Sequence, residues 1–289
     1  MQLKRDFFRS AVWQMFLATF WFSLMNICAR KLERLPVSEI VFFRCLLSML
    51  FCYVVLYREK VNLKGTNYLL LVGRGIVGTV SLFMYIGSIK HMPLGTAVSI
   101  QYLSPVFSLI IGYLFLKQKI TLWQSICFLT AISGVFIIKG YDHRVNTIFL
   151  LMGLCSACLS GLVFTLINQM KGSEHPMLVV FYFMAIGTIT GFAGTVTNFV
   201  TPTMYEVIFI LGIGITTQLG QINMTRSLQN SSVTKVGIIT YSGIVLALVY
   251  GFFFFNESYN LVALLGIIMI VGAMVGNVYL SKKPDAVKV

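Results

Sequence analysis

Charge is scarce in this sequence: 11% of its 289 residues are charged, and only nine of them are acidic. A soluble chain of this length needs far more charge to cover its surface, so a water-soluble globular protein is excluded. Recognisable catalytic patterns are missing as well. There is no HExxH, no GxSxG and no carboxylate cluster at a helix end, so no enzyme is expected. An ATP-binding motif and room for a soluble ligand-binding domain are also lacking, which argues against ATP-driven uptake by this chain alone. Cysteine is present six times, at 28, 45, 52, 127, 155 and 158, always inside apolar runs and never with zinc-ligand spacing. Cys155 and Cys158 have CxxC spacing, but on an apolar helix they are expected to be small packing groups rather than a redox or metal site. No cofactor and no metal are expected.

What the chain has in abundance is apolar surface. Hydrophobic residues make up 57% of it and the mean hydropathy is +0.86. Runs of membrane-spanning length recur from end to end, at about 11–29, 37–57, 67–88, 94–116, 121–139, 147–168, 176–197, 204–224, 232–255 and 259–280. The start reads as a basic stretch leading into a first span rather than as a cleaved signal. The formal net charge of +13 then fits basic residues at cytoplasmic helix ends and does not call for nucleic acid. With the N-terminus inside, fourteen Lys and Arg fall on the cytoplasmic side and six outside. Both termini are therefore expected in the cytoplasm of a multi-pass plasma (inner) membrane protein.

Sliding the chain against itself by 139 residues aligns the first five segments with the last five. Between Ile100 and Phe115 the shift pairs Ile100 with Ile239, Tyr102 with Tyr241, Val106 with Val245, Leu109 with Leu248, Gly112 with Gly251 and Phe115 with Phe254. Chance would give about one or two such identities in so biased a composition. Five crossings per copy invert the second copy in the membrane, an arrangement that many secondary transporters use to alternate access around a midplane site. The expected fold is an all-α integral membrane protein with ten transmembrane helices in two inverted-topology repeats of five. The first repeat covers residues 1–139. The second covers 140–289 and ends in a short cytoplasmic tail.

Three stretches carry a resemblance. They are FWFSLMNICARK in the first segment, TAVSIQYLSPVFSLIIGYLFLKQKIT across the fourth and the turn after it, and its partner TKVGIITYSGIVLALVYGFFFFNESYN. In order, spacing and duplication they resemble the drug/metabolite transporter superfamily, specifically its EamA-like branch. The resemblance implies export or uptake of small polar metabolites, coupled to protons, by exchange or by facilitated diffusion. It also implies an acidic residue in the turn after the fourth and ninth segments. Glu257 matches that position, while the first half has Gln118. Glu257 is read as a helix-boundary residue, with gating or coupling as the alternative.

Polar side chains inside apolar segments need a partner or a wet cavity. Gln101 and Tyr102 stand about 100° apart on a helix, and Pro105 frees the carbonyl of Gln101, so a bend or hinge is expected there. Gly112, further along, permits close packing or bending. The proline is not repeated, because Ile244 takes its place. Tyr102 and Tyr241 either line a cavity or hydrogen-bond between helices. The remaining candidates are Gln14, Trp21, Ser23 and Asn26, then Arg74, Ser81 and Tyr85, then Thr165 and Asn168, then Gln218, Gln221 and Asn223. From these, the expected substrate-binding set is Gln14, Trp21, Asn26, Arg74, Tyr85, Gln101, Tyr102, Thr165, Gln218, Gln221 and Tyr241. The hinge or gating set is Pro105, Gly112 and Glu257.

Arg44 and Arg74 fall well inside their segments. Three readings stay open for them: structural or lipid-facing anchors, the latter snorkelling to headgroups, attraction of a substrate carboxylate or phosphate, and a conformational lock. No Asp or Glu sits firmly at midmembrane, so proton coupling would require Glu257, Glu39 or His91 to move inward. The expected activity is secondary transport of small polar metabolites by alternating access. The resemblance, more than the residues, points to amino acids or to zwitterionic and cationic solutes such as S-adenosylmethionine. A channel or a non-transporting scaffold is the alternative. The expected partners are that solute with protons or a counter-substrate, and membrane lipid. The expected oligomeric state is a monomer or weak homodimer.

Overall fold

The computed structural model describes residues 2–116, 122–142, 144–231, 236 and 239–280. Among them are eleven helices of eight residues or more: α1 Gln2–Lys31, α2 Val37–Arg58, α3 Tyr68–His91, α4 Leu94–Gln101, α5 Ser104–Leu116, α6 Leu122–Tyr141, α7 Thr147–Gln169, α8 Pro176–Thr197, α9 Met204–Asn230, α10 Ser242–Phe255 and α11 Leu261–Leu280. No strand occurs among the described residues. Seven helical stretches are long and apolar enough to cross a membrane, counting Leu94–Leu114 as one. Shorter apolar helices run over Ser125–Ile138, Ser242–Phe255 and Leu261–Ala273. Gln118 lies outside the described residues.

Local chemistry sets the helix ends. Asn67 and Asn146 cap α3 and α7 by accepting from Leu70 N and Ile148 N. Thr203 and Glu206 form a reciprocal capping box on α9. Pro176 opens α8, where its missing N–H costs nothing. At the far end of α10, Asn256 turns left-handed with φ 50°, and Glu257 N donates back to the Gly251 carbonyl at 2.9 Å.

The fourth segment is broken. Tyr102 and Leu103 form a turn between α4 and α5, just ahead of Pro105. The equivalent place in the second half has no proline, yet Tyr241 is also a turn residue and α10 starts only at Ser242. The asymmetry expected from Ile244 is therefore absent. Ser242 does the work instead: its hydroxyl donates to the Ile239 carbonyl at 2.7 Å, satisfying locally a backbone acceptor at the break.

Helices of the two sequence halves interleave. α1 packs on α9, α2 on α8, α3 on α7, α6 on α11 and α4 on α10. Exchanging the halves turns the α1–α9 pair into the α7–α3 pair and returns the α2–α8 and α6–α11 pairs to themselves, so the packing of these helices has a pseudo-twofold character. Gly134 and Gly266 let α6 and α11 touch, since a Cβ on either would lie 2.6–2.7 Å from the other's carbonyl oxygen. One buried cluster gathers α1, α2, α8, α9 and parts of α3 and α7. A second gathers α4, α5, α6, α10 and α11, and Tyr85 packs against both. Large apolar residues such as Phe192, Ile208, Ile215, Phe252 and Phe253 point outward, as lipid permits.

Candidate functional site

A cavity of about 130 Å³ opens where the two clusters meet. Its wall on α1 is the stripe Met15, Thr19, Phe22, Met25 and Asn26, and its wall on α3 is Arg74, Gly78, Ser81 and Tyr85. Both sets follow the three-to-four residue period that keeps one helix face turned inward. The break between α4 and α5 contributes Gln101, Tyr102 and Ser104, so the interrupted helix exposes its turn at the cavity rather than to lipid. Ser160, Phe164, Phe183, Gln221, Met224 and Thr240 close the wall from the second half.

Sequence register relates many of these groups. At an offset of 139, Met25 corresponds to Phe164, Arg44 to Phe183, Leu82 to Gln221, Tyr85 to Met224 and Gln101 to Thr240, and all ten line the cavity. The cavity is therefore lined by register-related positions of both halves.

Two arginines dominate its electrostatics. Arg44 is 3% and Arg74 1% exposed. Both face inward, so the lipid-anchoring reading fails. Arg44 Nε donates to Thr217 Oγ1 at 2.8 Å, and Arg74 Nη2 donates to Gln221 Oε1 at 3.1 Å. The Arg74 guanidinium also lies 4.2 Å from the centre of the Phe183 ring, a cation–π contact. Arg44 Nη1 and Arg74 Nε and Nη1 have no protein partner. No carboxylate lines the cavity among the described residues. The other polar groups of the wall are uncharged. Tyr85 donates to Asn26 Oδ1 at 3.1 Å, and Gln101 bridges Ser160 at 2.7 Å and Ser156 at 3.0 Å, both tied to Ser81.

Of the residues expected to bind solute, Asn26, Arg74, Tyr85, Gln101, Tyr102 and Gln221 meet here. Gln14, Trp21, Thr165, Gln218 and Tyr241 are not in the wall. Gln14 and Trp21 sit beside the inward stripe of α1, one position out of phase with Met15 and Phe22, and Trp21 packs edge-on against Phe20. Thr165 joins Ser108 on α5 at 2.9 Å. Gln218 is held by Cys52 and Met177 between α2 and α8. Tyr241 is 4% exposed in the second cluster. Arg44 was signalled in sequence as a charge inside a span. Thr19, Met15 and Phe22 carried no chemical signal, and only the phase of the stripe set by Asn26 could have found them. Cys155 and Cys158 are exposed on α7 instead of packed, and all six cysteines are free. No group of three or more His, Cys, Asp or Glu that could hold a metal is present among the described residues.

The carboxylates lie at helix ends. Both oxygens of Glu257 accept from Leu94 N at 2.9 Å, at the start of α4, and Tyr259 donates to it at 2.5 Å. Glu39 accepts from Val200 N, while Glu206 pairs with Arg34 at 2.6 Å. That pairing raises the Arg34 guanidinium pKa. Glu174 accepts from the N–H groups of Thr66 and Asn67. His91 is exposed and stacks on Phe149. None of Glu257, Glu39 and His91 reaches the cavity wall.

A multi-pass helical membrane protein, built from two related halves around a central cavity, is the class that fold and site define. The chain matches the EamA-like transporter family twice, over residues 9–140 and 147–279, and it belongs to that family, within the drug/metabolite transporter superfamily. It is similar to the pseudopaline exporter CntI of Pseudomonas aeruginosa, at 31% identity over 93% of this chain and 96% of that one. It is also similar to human solute carrier family 35 member G1, at 24% identity over 90% of this chain and 76% of that one. A third relative is the S-adenosylmethionine uptake transporter of Rickettsia bellii, at 24% identity over 89% and 88%. A solved crystal structure superposes with a TM-score of 0.72 at 13% identity, covering 95% of this chain and 98% of that chain, which speaks to the fold alone.

Proposed function

We propose that the protein is a secondary carrier for small polar metabolites and works by alternating access. The observation that carries this reading is the position of the cavity: five register-related pairs, one member from each half, line it together. Two five-segment halves of opposite membrane orientation supply two equivalent ways of closing the bundle around one site. Because the halves interleave, the bodies that rock are the two mixed clusters, with the turns at Tyr102 and Tyr241 as the places where the backbone gives. Gln101, Tyr102, Asn26, Tyr85 and Gln221 hold the solute. Glu257 acts as a latch between α4 and the loop before α11 rather than as a proton carrier. Exchange or facilitated diffusion suits a cavity whose wall has no acid. The relatives include one exporter and one uptake transporter by name, so they leave the direction of flux open. The charge bias supports cytoplasmic termini in the plasma (inner) membrane.

Counterflow in proteoliposomes tests the carrier reading. Vesicles preloaded with unlabelled solute should take up labelled solute faster than empty ones and should saturate. Linear flux without that acceleration would indicate a channel, and folded, correctly inserted protein with no flux of any metabolite would indicate a scaffold.

A further inference from the structure

We infer that the solute of this cavity is a small organic anion, with one or two carboxylates, seated on Arg44 and Arg74. The inference rests on the carrier reading above and narrows it to a substrate class.

Three observations converge. First, two buried arginines line one cavity, and three of their nitrogens, Nη1 of Arg44 and Nε and Nη1 of Arg74, are buried without a protein partner. An uncompensated charge in such a place is costly, and a carboxylate is the partner whose geometry matches a guanidinium fork. Second, the wall has no carboxylate of its own among the described residues, so nothing there pairs with an ammonium group and a net cation is repelled. Third, the cavity is small. At about 130 Å³ it is near the size of an engineered cavity of about 150 Å³ that holds benzene, so it takes roughly six to nine heavy atoms. The cation S-adenosylmethionine is wrong in sign for this wall.

The geometry also divides labour along the solute. Thr217 and Gln221 each take one donor of an arginine and thereby orient the fork. Phe183 supports the plane of Arg74 from behind. Elsewhere in the wall Asn26, Tyr85 and the Gln101 network offer neutral hydrogen bonds, suited to a hydroxyl, a carbonyl or a second carboxylate.

Binding to the purified full chain in nanodiscs, read as a shift in thermal unfolding and as a titrated Kd, tests this with probes matched in shape and different in charge. Succinate is compared with its neutral analogue succinamide, lactate with the zwitterion alanine, and putrescine serves as the dication. Succinate is expected to bind at least tenfold more tightly than succinamide, lactate more tightly than alanine, and putrescine not at all. Arg44→Gln and Arg74→Gln should each weaken succinate at least tenfold, and Arg44→Lys and Arg74→Lys should fall between. The succinate and succinamide comparison needs no variant, so it decides even where a variant fails to fold.

Equal binding of succinate and succinamide, binding of putrescine, binding of inorganic phosphate without any carboxylate, or no binding by any probe at millimolar concentration would each overturn the inference. Saturable counterflow of alanine or putrescine without succinate binding would overturn it while leaving the carrier reading intact. Succinate binding without saturable flux would do the reverse.

Discussion

Replacing Glu257 separates its hydrogen-bonding role from its charge. Its two oxygens both stand 2.9 Å from Leu94 N, and its Oε2 takes the Tyr259 hydroxyl at 2.5 Å. Leu94 is fully buried, so Glu257→Ala would leave its N–H without a partner and the Tyr259 O–H without its acceptor, while Gly95 N still donates to the Tyr259 oxygen. An orphaned buried donor costs about 1–3 kcal/mol, and the lost carboxylate at the α4 N-terminus adds about 0.3–1 kcal/mol, for roughly 2–4 kcal/mol together. Glu257→Gln keeps an oxygen for Leu94 N and turns its amide N–H toward the Tyr259 oxygen. It loses mainly the charge, at about 0.5–1.5 kcal/mol.

At about 2–4 °C per kcal/mol, the scale of larger soluble domains, the alanine variant should lose roughly 4–16 °C and the glutamine variant a few degrees. The assay is apparent Tm of the detergent-purified protein at one fixed scan rate, because unfolding of such proteins is commonly irreversible. Loss of under about 1 °C for Glu257→Ala, or equal losses for both variants, would refute the idea that hydrogen-bond satisfaction is what Glu257 provides.

Three other outcomes are expected. Gly161→Ala would put a Cβ 2.7 Å from Ser108 N and 2.8 Å from the Ser104 carbonyl, both backbone atoms, so α5 and α7 must separate. A loss of about 1–3 kcal/mol, read as a lower Tm, is expected, and an unchanged Tm would mean that the helices are not packed this closely. Gln101→Leu removes the bridge between Ser160 and Ser156 and should cost about 1–2 kcal/mol. It should also weaken solute binding, measured as a higher KM in counterflow. Tyr259 has its phenol pKa raised above 10 by burial and by its hydrogen bond to Glu257. A raised folded-state value means that its contribution to stability is present below the unfolded value of about 10 and is lost as pH rises through the folded one. Wild-type Tm should therefore fall more steeply above about pH 10 than that of Tyr259→Phe, and parallel curves would contradict the assignment.

The helices were legible in sequence because apolar runs of spanning length are the strongest signal a membrane protein gives. The run at 37–57 became Val37–Arg58 and that at 176–197 became Pro176–Thr197. The break at Tyr102 was foreshadowed by Pro105. The matching break at Tyr241 was not, since a serine hydroxyl serves there and leaves no strong local mark.

The site was half legible. Arg74, Ser81 and Tyr85 stand on one helix face and report their own direction. Gln14 and Trp21 misled because lipid solvates apolar side chains as well as a protein core does, so hydropathy cannot tell the inward stripe from the outward one. Polar type alone then picks the neighbour of the right position. Which helices pair across the halves was not legible at all, as it depends on close approaches such as Gly134 to Gly266.

The scarcity of acid has a structural meaning once each carboxylate is placed. Among the described residues, Asp6 lies near the start of α1, Glu33 follows α1, Glu39 opens α2, Glu59 closes it, Asp142 follows α6, Glu174 lies between α7 and α8, Glu206 opens α9 and Glu257 follows α10. Carboxylates thus work at the ends of helices, where orphaned backbone N–H groups need an acceptor. Glu174 holds the start of α3 at one end of the bundle. Glu39 and the Arg34–Glu206 pair hold the start of α9 at the other, about 30 Å away along α2. Both ends are therefore fastened in the same conformation. Opening either one requires breaking a few hydrogen bonds, each worth about 0.5–1.5 kcal/mol net, while the other end stays closed. The two charges left at the centre are arginines that no carboxylate neutralises. The carboxylates that hold the ends and the arginines of the cavity are thus groups of opposite sign in different places, so on the proposed anion reading a solute settles without competing with the carboxylates.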